Sequence, residues 1–290
     1  MKRVMYALIG GAALCGVVAF SASGQSDQTR KEAASTADVQ LWRLDCGAVR
    51  VNDLNAFSDV HAYTGRSRQL AASCYLIRHG ADYMLWDAGI SESLKGKPTS
   101  AKDPISLTLT VTIPEQLAKI DVKPEQIRLL GISHYHGDHI GQAPALTNAK
   151  LMIGKGDLDV LKAGPQPRID PAPLARWLTG GGEAEGVVGD KDVFGDGSVV
   201  MLSLPGHTPG HHGLLVRLRN KGAVLISGDA AHFNDNLVND GVPGFNTDRA
   251  QSLASLGRLK GLATNMNATL VLQHEPEDII KLPVFPASAN

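Results

Sequence analysis

The feature that most constrains the fold is the stretch SHYHGDHIG, residues 133–141, which holds three histidines and an aspartate in six consecutive positions. It follows the continuous apolar run IRLLGIS, which predicts a buried strand. His134 and His136 are two residues apart, so on an extended segment both side chains point to one side. The glycine after them lets the backbone turn, so that Asp138 and His139 can face the same cavity. This density favours a metal site over a cluster of solvated loop histidines.

Three more residues that can ligate metals follow predicted strands later in the chain. His207 lies in LPGHTPG after VVMLSL, Asp229 lies in VLISGDA, and His274 lies in LVLQHE at the end of the last predicted strand. Each alone is weak evidence, because a single histidine or aspartate in a turn is usually structural. Together with the first cluster they give five histidines and two aspartates from four strand ends, a set that suits Zn²⁺ or a similar first-row ion.

The motifs SHYHGDHIG, PGHTPGH and SGDA, with the late His274, resemble the metallo-β-lactamase superfamily, whose signature is HxHxDH with a downstream His, Asp and His. The resemblance runs from about Val39 to His274. It implies an α/β fold of the α+β type, the αββα four-layer sandwich, with two divalent metal ions at one edge and zinc as the favoured ion. It implies this ligand set: His134, His136 and His207 on one ion, Asp138, His139 and His274 on the second, and Asp229 bridging both.

The resemblance also gives roles to residues that are not ligands. Asp87 in LWDAG matches an early strand-end aspartate of the superfamily, which orients ligands. His211 matches a residue that supports the site without ligating. The ligand set is already full, so His61, His79 and His212 are expected to be ordinary surface or core histidines.

The chemistry that the resemblance implies is hydrolysis without a covalent enzyme intermediate. Two neighbouring metal ions can share a hydroxide, because they lower the pKa of the parent water. Asp138 is expected to handle the proton as well as to ligate. The sequence has no Gly-x-Ser-x-Gly elbow that would indicate a serine nucleophile instead.

The bridging aspartate bears on the substrate. True β-lactamases generally lack it, whereas lactonases, glyoxalase II-like thioesterases and some phosphotriesterases keep it. The stretches LDCGAVRVNDLNAFSD, SCYLIRHGADYMLWDAGI and LVLQHEPEDIIKLPVFP are similar to the N-acyl homoserine lactonase branch, which includes secreted members. The implied activity is opening of the lactone ring of N-acyl homoserine lactones, or quorum quenching, by a metal-bridging hydroxide. A phosphotriesterase, β-lactamase or thioesterase is the alternative, and a catalytically idle metal-binding protein is disfavoured by the complete ligand set.

One position departs from that branch, which often carries a tyrosine three residues after the bridging aspartate. Here the residue is His232, in GDAAHF. We hypothesise that His232 donates a hydrogen bond to the lactone carbonyl or a proton to the leaving alkoxide. A bystander histidine is the other interpretation.

The N-terminus predicts export. Lys2 and Arg3 precede the uncharged run VMYALIGGAALCGVVAF, and small residues at 22–24 form a signal-peptidase site. A membrane anchor is the alternative, but the run is glycine-rich and short for a spanning helix. We predict a signal peptide at 1–24, a flexible polar segment at 25–38 and one hydrolase domain at 39–290. The mature protein is expected in the periplasm or outside the cell, without stable membrane association.

The composition narrows the range of partners. With 43% hydrophobic and 20% charged residues and a formal net charge of −1, the chain matches an ordinary globular protein and not a nucleic-acid binder. The expected partner is a small-molecule substrate, an acyl lactone, and a homodimer is left open. An acyl chain needs an apolar wall, for which the candidates are Trp177, Leu178, Phe57, Phe233 and Phe245, each equally interpretable as core.

Two cysteines, Cys46 and Cys74, remain after the predicted cleavage. They could pair in an oxidising periplasm. Because spacing alone shows no disulfide geometry, two buried free thiols on early strands are the slightly favoured interpretation. Elsewhere, apolar runs alternate with turns and helical patterns, and the proline- and glycine-rich segment 164–190 predicts a partly helical lid or binding wall.

Overall fold

The computed structural model describes residues 38–164 and 169–290. The predicted signal peptide and nearly all of the predicted flexible segment therefore lie outside the described residues. The strands in this part of the chain are β1 (Val39–Val51), β2 (Arg68–His79), β3 (Asp82–Trp86), β4 (Ile105–Thr108), β5 (Ile127–Ile132), β6 (Lys150–Gly154), β7 (Ala184–Val187), β8 (Lys191–Asp192), β9 (Val199–Ser203), β10 (His212–Leu218), β11 (Gly222–Ile226) and β12 (Thr269–Val271). The helices are α1 (Ile113–Leu117), α2 (Gly137–Ile140), α3 (Lys155–Lys162), α4 (Ala175–Leu178), α5 (Asn234–Val238), α6 (Arg249–Asn265) and α7 (Pro276–Ile279).

The strands form two mixed sheets. The seven-stranded sheet has the order β4-β1-β2-β3-β5-β6-β7, and the five-stranded sheet has the order β12-β11-β10-β9-β8. Parallel pairing joins β3 to β5, β5 to β6 and β6 to β7 in the first sheet, and β11 to β12 in the second. The remaining neighbours are antiparallel, including the β2–β3 hairpin that the sequence predicted.

The two sheets pack face to face because alternate side chains of a strand point to opposite faces. Met84 and Trp86 of β3 enter the apolar cluster between the sheets, whereas Leu85 enters the cluster on the other face. In β10, Val216 lies between the sheets and Leu215 faces outward. Burial on both faces explains why these strands appear in the sequence as continuous apolar runs.

Helices cover both outer faces. Ile113 of α1, Leu158 of α3 and Trp177 of α4 join the cluster outside the seven-stranded sheet. Leu256 of α6 packs in the cluster outside the five-stranded sheet. These four layers confirm the predicted αββα sandwich. Within the described residues, no helix has both the length and the hydrophobicity that crossing a membrane requires.

Trp177, a candidate wall residue in the segment 164–190, packs into the core. Trp177 is 3% exposed, and its indole Nε1 donates to the Ala149 carbonyl at 2.9 Å. Leu178 packs against the same cluster. Of the two interpretations of Trp177, the structure supports core, because the ring is buried in the cluster outside the seven-stranded sheet.

Cys46 and Cys74 form a disulfide, with their Cα atoms 5.8 Å apart. The expectation of two free thiols is therefore wrong. The antiparallel pairing of β1 with β2 places Leu44 opposite Cys74, and an irregularity between Asp45 and Ala48 shifts the register beside it. Sequence spacing could not reveal this register, on which the pairing depends.

Candidate metal centre

All seven predicted ligands meet at one edge of the sandwich. The turn after β5 carries His134 to His139, and the loop after β9 carries His207. The turns after β11 and β12 carry Asp229 and His274. β11 and β12 are parallel, so their carboxyl ends lie at the same edge. The side chains form two groups that could each hold a metal ion: His134, His136, His207 and Asp229 in the first group, and Asp138, His139 and His274 in the second.

The first group brings three imidazole nitrogens together. His134 Nε2 lies 2.9 Å from His136 Nδ1, and His207 Nε2 lies 3.1 and 3.0 Å from those two atoms. Nitrogen ligands about 2.1 Å from a shared zinc ion lie at a similar mutual spacing. Three imidazole nitrogens at this mutual spacing suit a bound cation.

The second group is richer in oxygen. His139 Nε2 and His274 Nε2 lie 3.2 Å apart. Asp138 Oδ2 lies 3.9 Å from the first of these nitrogens and 3.7 Å from the second. Two imidazoles and a carboxylate suit a divalent first-row ion.

Asp229 faces both groups with different oxygens. Oδ2 lies 3.5 Å from His134 Nε2 and 3.3 Å from His207 Nε2. Oδ1 lies 3.3 Å from His139 Nε2 and 3.1 Å from His274 Nε2. Oδ1 is buried and has no hydrogen-bond partner among the described residues. A buried carboxylate oxygen without a partner is costly, and a second cation would satisfy it. The donor set therefore fits two divalent metal ions with a shared carboxylate.

Burial keeps the imidazoles of His134 and His136 in the first group neutral. Burial lowers the pKa of His134 well below its usual value, and the neighbouring His139 adds to this effect. Burial and the adjacent His207 lower the pKa of His136 to about 3. Neutral imidazoles have free lone pairs, which metal coordination requires.

The second group holds charged side chains. Burial opposes charge on His139, but the carboxylates of Asp229, Asp87 and Asp138 outweigh it and raise its pKa well above its usual value. The pKa of His274 is raised in the same way, against burial, chiefly by Asp229. Burial also opposes ionisation of Asp229, yet the histidines around it hold its pKa well below its usual value. An ion entering this group must therefore displace protons from imidazoles.

Asp87 supports the second group, as predicted from the resemblance. Its Oδ2 lies 2.8 Å from His139 Nδ1, and the carboxylate also accepts from the Ser133 backbone N–H and hydroxyl. Asp87 has a left-handed backbone with φ +59°. Such a conformation is costly for a residue with a Cβ, so the surrounding hydrogen bonds must hold it.

The structure adds two supporting residues that the sequence interpretation missed. Asn246 Oδ1 lies 2.8 Å from His207 Nδ1. Gln273 is fully buried, donates to Asp87 Oδ2 at 2.9 Å and accepts from the Gly228 backbone N–H at 3.1 Å. Its position directly before His274 was the only signal in the sequence, and Asn246 gave none.

His211 supports the site without joining either group. Its Nε2 accepts from the Asp229 backbone N–H at 2.7 Å, and its Nδ1 donates to the Leu204 carbonyl at 2.9 Å. These two bonds fix the imidazole tautomer and hold the turn that carries Asp229. His61, His79 and His212 lie outside both groups.

His232 lies against the centre, and its role stays a prediction. Its Nε2 is 3.1 Å from Asp229 Oδ2, and its Nδ1 is buried without a partner among the described residues. The Phe57 ring meets the imidazole edge-on at 4.8 Å, and Phe245 lies 5.2 Å from Phe57 and 5.9 Å from His207. Two of the five candidate wall residues therefore border the centre.

Comparisons with known proteins agree with this geometry. The family model of the metallo-beta-lactamase superfamily matches residues 68–274. The N-acyl homoserine lactonase AttM of Agrobacterium fabrum strain C58 is 26% identical over 266 residues, which cover 86% of this chain and 99% of AttM.

Solved structures share the fold. An N-acyl homoserine lactone hydrolase with the product N-hexanoyl-L-homoserine bound at its catalytic metal centre superposes with a TM-score of 0.74 at 23% identity, covering 87% of this chain and 99% of that one. AidC, a dizinc quorum-quenching lactonase, gives a TM-score of 0.64 at 18% identity, covering 87% and 90% of the two chains. The family match spans well over half of the sequence, and the chain therefore belongs to the metallo-beta-lactamase superfamily.

Proposed function

We propose that this protein is a metal-dependent hydrolase that opens the lactone ring of N-acyl homoserine lactones. The observation that carries the proposal is the two-sided contact of Asp229, which presents one oxygen to each ligand group. The similarity to AttM over most of both chains supports the substrate class. The homoserine product bound at the metal centre of the similar lactone hydrolase, and the two zinc ions of AidC, support the same chemistry and favour zinc.

Under this proposal the residues of the centre have two kinds of role, metal binding and proton transfer. Seven side chains would hold two divalent ions: His134, His136, Asp138, His139, His207, Asp229 and His274. When bound, such ions polarise a carbonyl oxygen and lower the pKa of a coordinated water to near neutrality. Asp138 has 20% of its side chain accessible, whereas Asp229 has 4%. Asp138 can therefore exchange a proton with solvent or substrate, while Asp229 is confined to ligation.

Activity on a panel of substrates tests the proposal. The zinc-loaded protein would be assayed for proton release on short- and long-chain N-acyl homoserine lactones, a cephalosporin, a glutathione thioester and a phosphotriester. We expect turnover of the lactones to exceed turnover of the others. Failure on every lactone would remove the proposed function, and a preferred phosphotriester or thioester would replace it.

His232 is proposed to act on the lactone as a hydrogen-bond donor. Its contact with Asp229 on one side and with the Phe57 ring on the other supports this role. A matched pair of variants differs by one hydroxyl group: His232→Tyr keeps a donor, and His232→Phe removes it. We expect His232→Phe to cut kcat strongly and His232→Tyr to retain most of it, with metal content unchanged in both. Wild-type kcat in the Phe variant would reject the role.

We also propose that the protein is exported to the periplasm or beyond. The charged start followed by the apolar run supports this, and so does the Cys46–Cys74 disulfide, because disulfides persist in oxidising compartments. Fractionation of cells that express the full chain tests export. Processed protein in the periplasm or medium is the expected result, and full-length protein in the cytoplasm would contradict it.

A further inference from the structure

One buried carboxylate outside the ligand groups contacts the loop that carries His207. Asp157 lies in the first turn of α3 and is fully inaccessible to solvent. Its Oδ2 accepts from the Thr208 hydroxyl at 2.8 Å, and its Oδ1 accepts from the Gly210 backbone N–H at 2.6 Å. Thr208 directly follows His207, so these two bonds fix the loop next to a predicted ligand.

The loop that Asp157 holds also meets the segment that carries the other half of the first group. The His212 backbone N–H donates to the Ser133 carbonyl at 2.9 Å. Ser133 directly precedes His134 in the chain. Asp157 therefore fixes a loop that carries His207 and contacts the start of the His134–His136 segment, whereas neither of its two hydrogen bonds reaches the second group.

Glycines let these segments meet backbone to backbone. A Cβ on Gly154 would lie 1.8 Å from the Gly210 carbonyl oxygen, and a Cβ on Gly156 would lie 2.8 Å from the Pro209 carbonyl carbon. A side chain at either position would push the His207 loop away from α3. The sequence GKGD at 154–157 thus combines close approach with a hydrogen-bonding carboxylate at the point of contact.

The charge of the Asp157 carboxylate is a second way in which this residue is linked to the first ligand group. Burial raises the pKa of Asp157 to about 7, although the bonds from Thr208 and Gly210 act in the opposite direction. A buried carboxylate is easier to keep ionised when a cation lies nearby. Such a cation would bind at the first ligand group, whose member His207 directly precedes Thr208.

We propose that Asp157 is a positioning residue for the first ligand group. It sets the separation between His207 and the His134–His136 pair, and through it the affinity of that half of the centre for its ion. It touches neither ion nor substrate. The inference rests on the metal-binding role proposed above and extends it to a residue outside the centre.

Metal binding by three variants tests this role independently of turnover. Asp157→Ala removes both acceptors. Asp157→Asn keeps an acceptor for the Gly210 N–H and can donate to the Thr208 oxygen. Asp159→Ala, on the same helix, removes an exposed carboxylate that pairs with Lys155 and is the matched control. Zn²⁺ affinities would be measured by competition with a chelating dye, and ¹⁵N-histidine NMR spectra would identify the ligated imidazoles.

We expect Asp157→Ala to weaken one of two Zn²⁺ affinities by roughly 10–100-fold, the range for residues that orient ligands. The imidazole signals of His134, His136 and His207 should change while those of His139 and His274 persist. Asp157→Asn should restore most of the affinity, and Asp159→Ala should match the wild type. Unchanged affinities in Asp157→Ala, or equal weakening of both, would overturn the proposal.

Two further measurements keep the test decisive. If Asp157→Ala does not fold, Thr208→Val removes one of the two bonds and should weaken the same affinity by several-fold. In the metal-free protein, the Gly210 amide should exchange with solvent faster in Asp157→Ala than in Asp159→Ala, because its acceptor is gone; equal exchange rates would overturn the role. Wild-type protein that binds no Zn²⁺ would reject the proposed metal centre, whereas the amide exchange would still test Asp157.

Discussion

The two ligand groups are neighbours that share Asp229, yet they have different chemistry. The first offers imidazoles that burial keeps neutral, as at His134 and His136. The second sets His139 and His274 among carboxylates, which raise their pKa values. The first group is therefore ready to receive an ion, while the second must exchange protons for one. One edge of the sandwich therefore presents two ligand groups that differ in their electrostatics.

Removing the shared carboxylate should have the largest effect, because both groups depend on it. We expect Asp229→Ala to lose most bound Zn²⁺. Turnover should fall by at least about 100-fold, since the ions supply several kcal/mol of transition-state stabilisation. Metal analysis and lactone hydrolysis measure these two outcomes. Asp235→Ala, which removes an exposed carboxylate in the following helix, is the control. A variant that keeps two tightly bound ions would show that Asp229 does not bridge.

Removing the disulfide should have the next largest effect, and that effect should differ between the two ligand groups. Gly89, just after Asp87, has no room for a Cβ because Cys46 lies against it. The Gly89 carbonyl accepts from Gly141 at the end of α2, and Ala88 donates to the His139 carbonyl. The disulfide therefore supports the segment that carries the second group.

A Cys46→Ser/Cys74→Ser variant should lower the free energy of unfolding by about 3.5 kcal/mol, the value expected for cysteines 28 residues apart in the sequence. Urea denaturation measures this loss. We also expect the second group's Zn²⁺ to be released at a lower urea concentration than the first group's, as followed by ¹⁵N-histidine signals. Simultaneous release from both groups would break the proposed asymmetry.

The sequence predicted which side chains meet, because each ligand follows an apolar strand and the motif order resembles a known family. It also predicted the support from Asp87 and His211 by that resemblance. It did not predict Asn246, because an asparagine in a loop carries no periodic signal. It left Trp177 open between core and binding wall, because an aromatic side chain in a proline- and glycine-rich segment packs into either with the same local pattern. The pairing of Cys46 with Cys74 depends on strand register, which spacing does not encode.

Residues that orient the ligands should give intermediate effects, each confined to one group. Asp87→Ala removes the carboxylate 2.8 Å from His139 Nδ1, and Asn246→Ala removes the oxygen 2.8 Å from His207 Nδ1. We expect each variant to weaken one Zn²⁺ affinity by roughly 10–100-fold. Asp87→Ala should affect the second group and Asn246→Ala the first. If both variants weaken the same ion, the division into two groups is wrong.

The smallest expected effect is a pH dependence of the free energy of unfolding that comes from Asp157, the carboxylate proposed to support the first group. Burial raises the pKa of this carboxyl from 3.8 to about 7 in the folded protein. The folded state then binds the proton more tightly than the unfolded state, so the free energy of unfolding falls as pH rises between these values. Asp157→Asn lacks this loss. In metal-free protein its free energy of unfolding should therefore rise relative to wild type between about pH 4 and about pH 8. Urea denaturation across this range measures the gain, and Asp159→Asn should show none. Zn²⁺ should cancel the gain, because a nearby cation stabilises the wild-type carboxylate; an unchanged gain with Zn²⁺ bound would separate Asp157 from the first group.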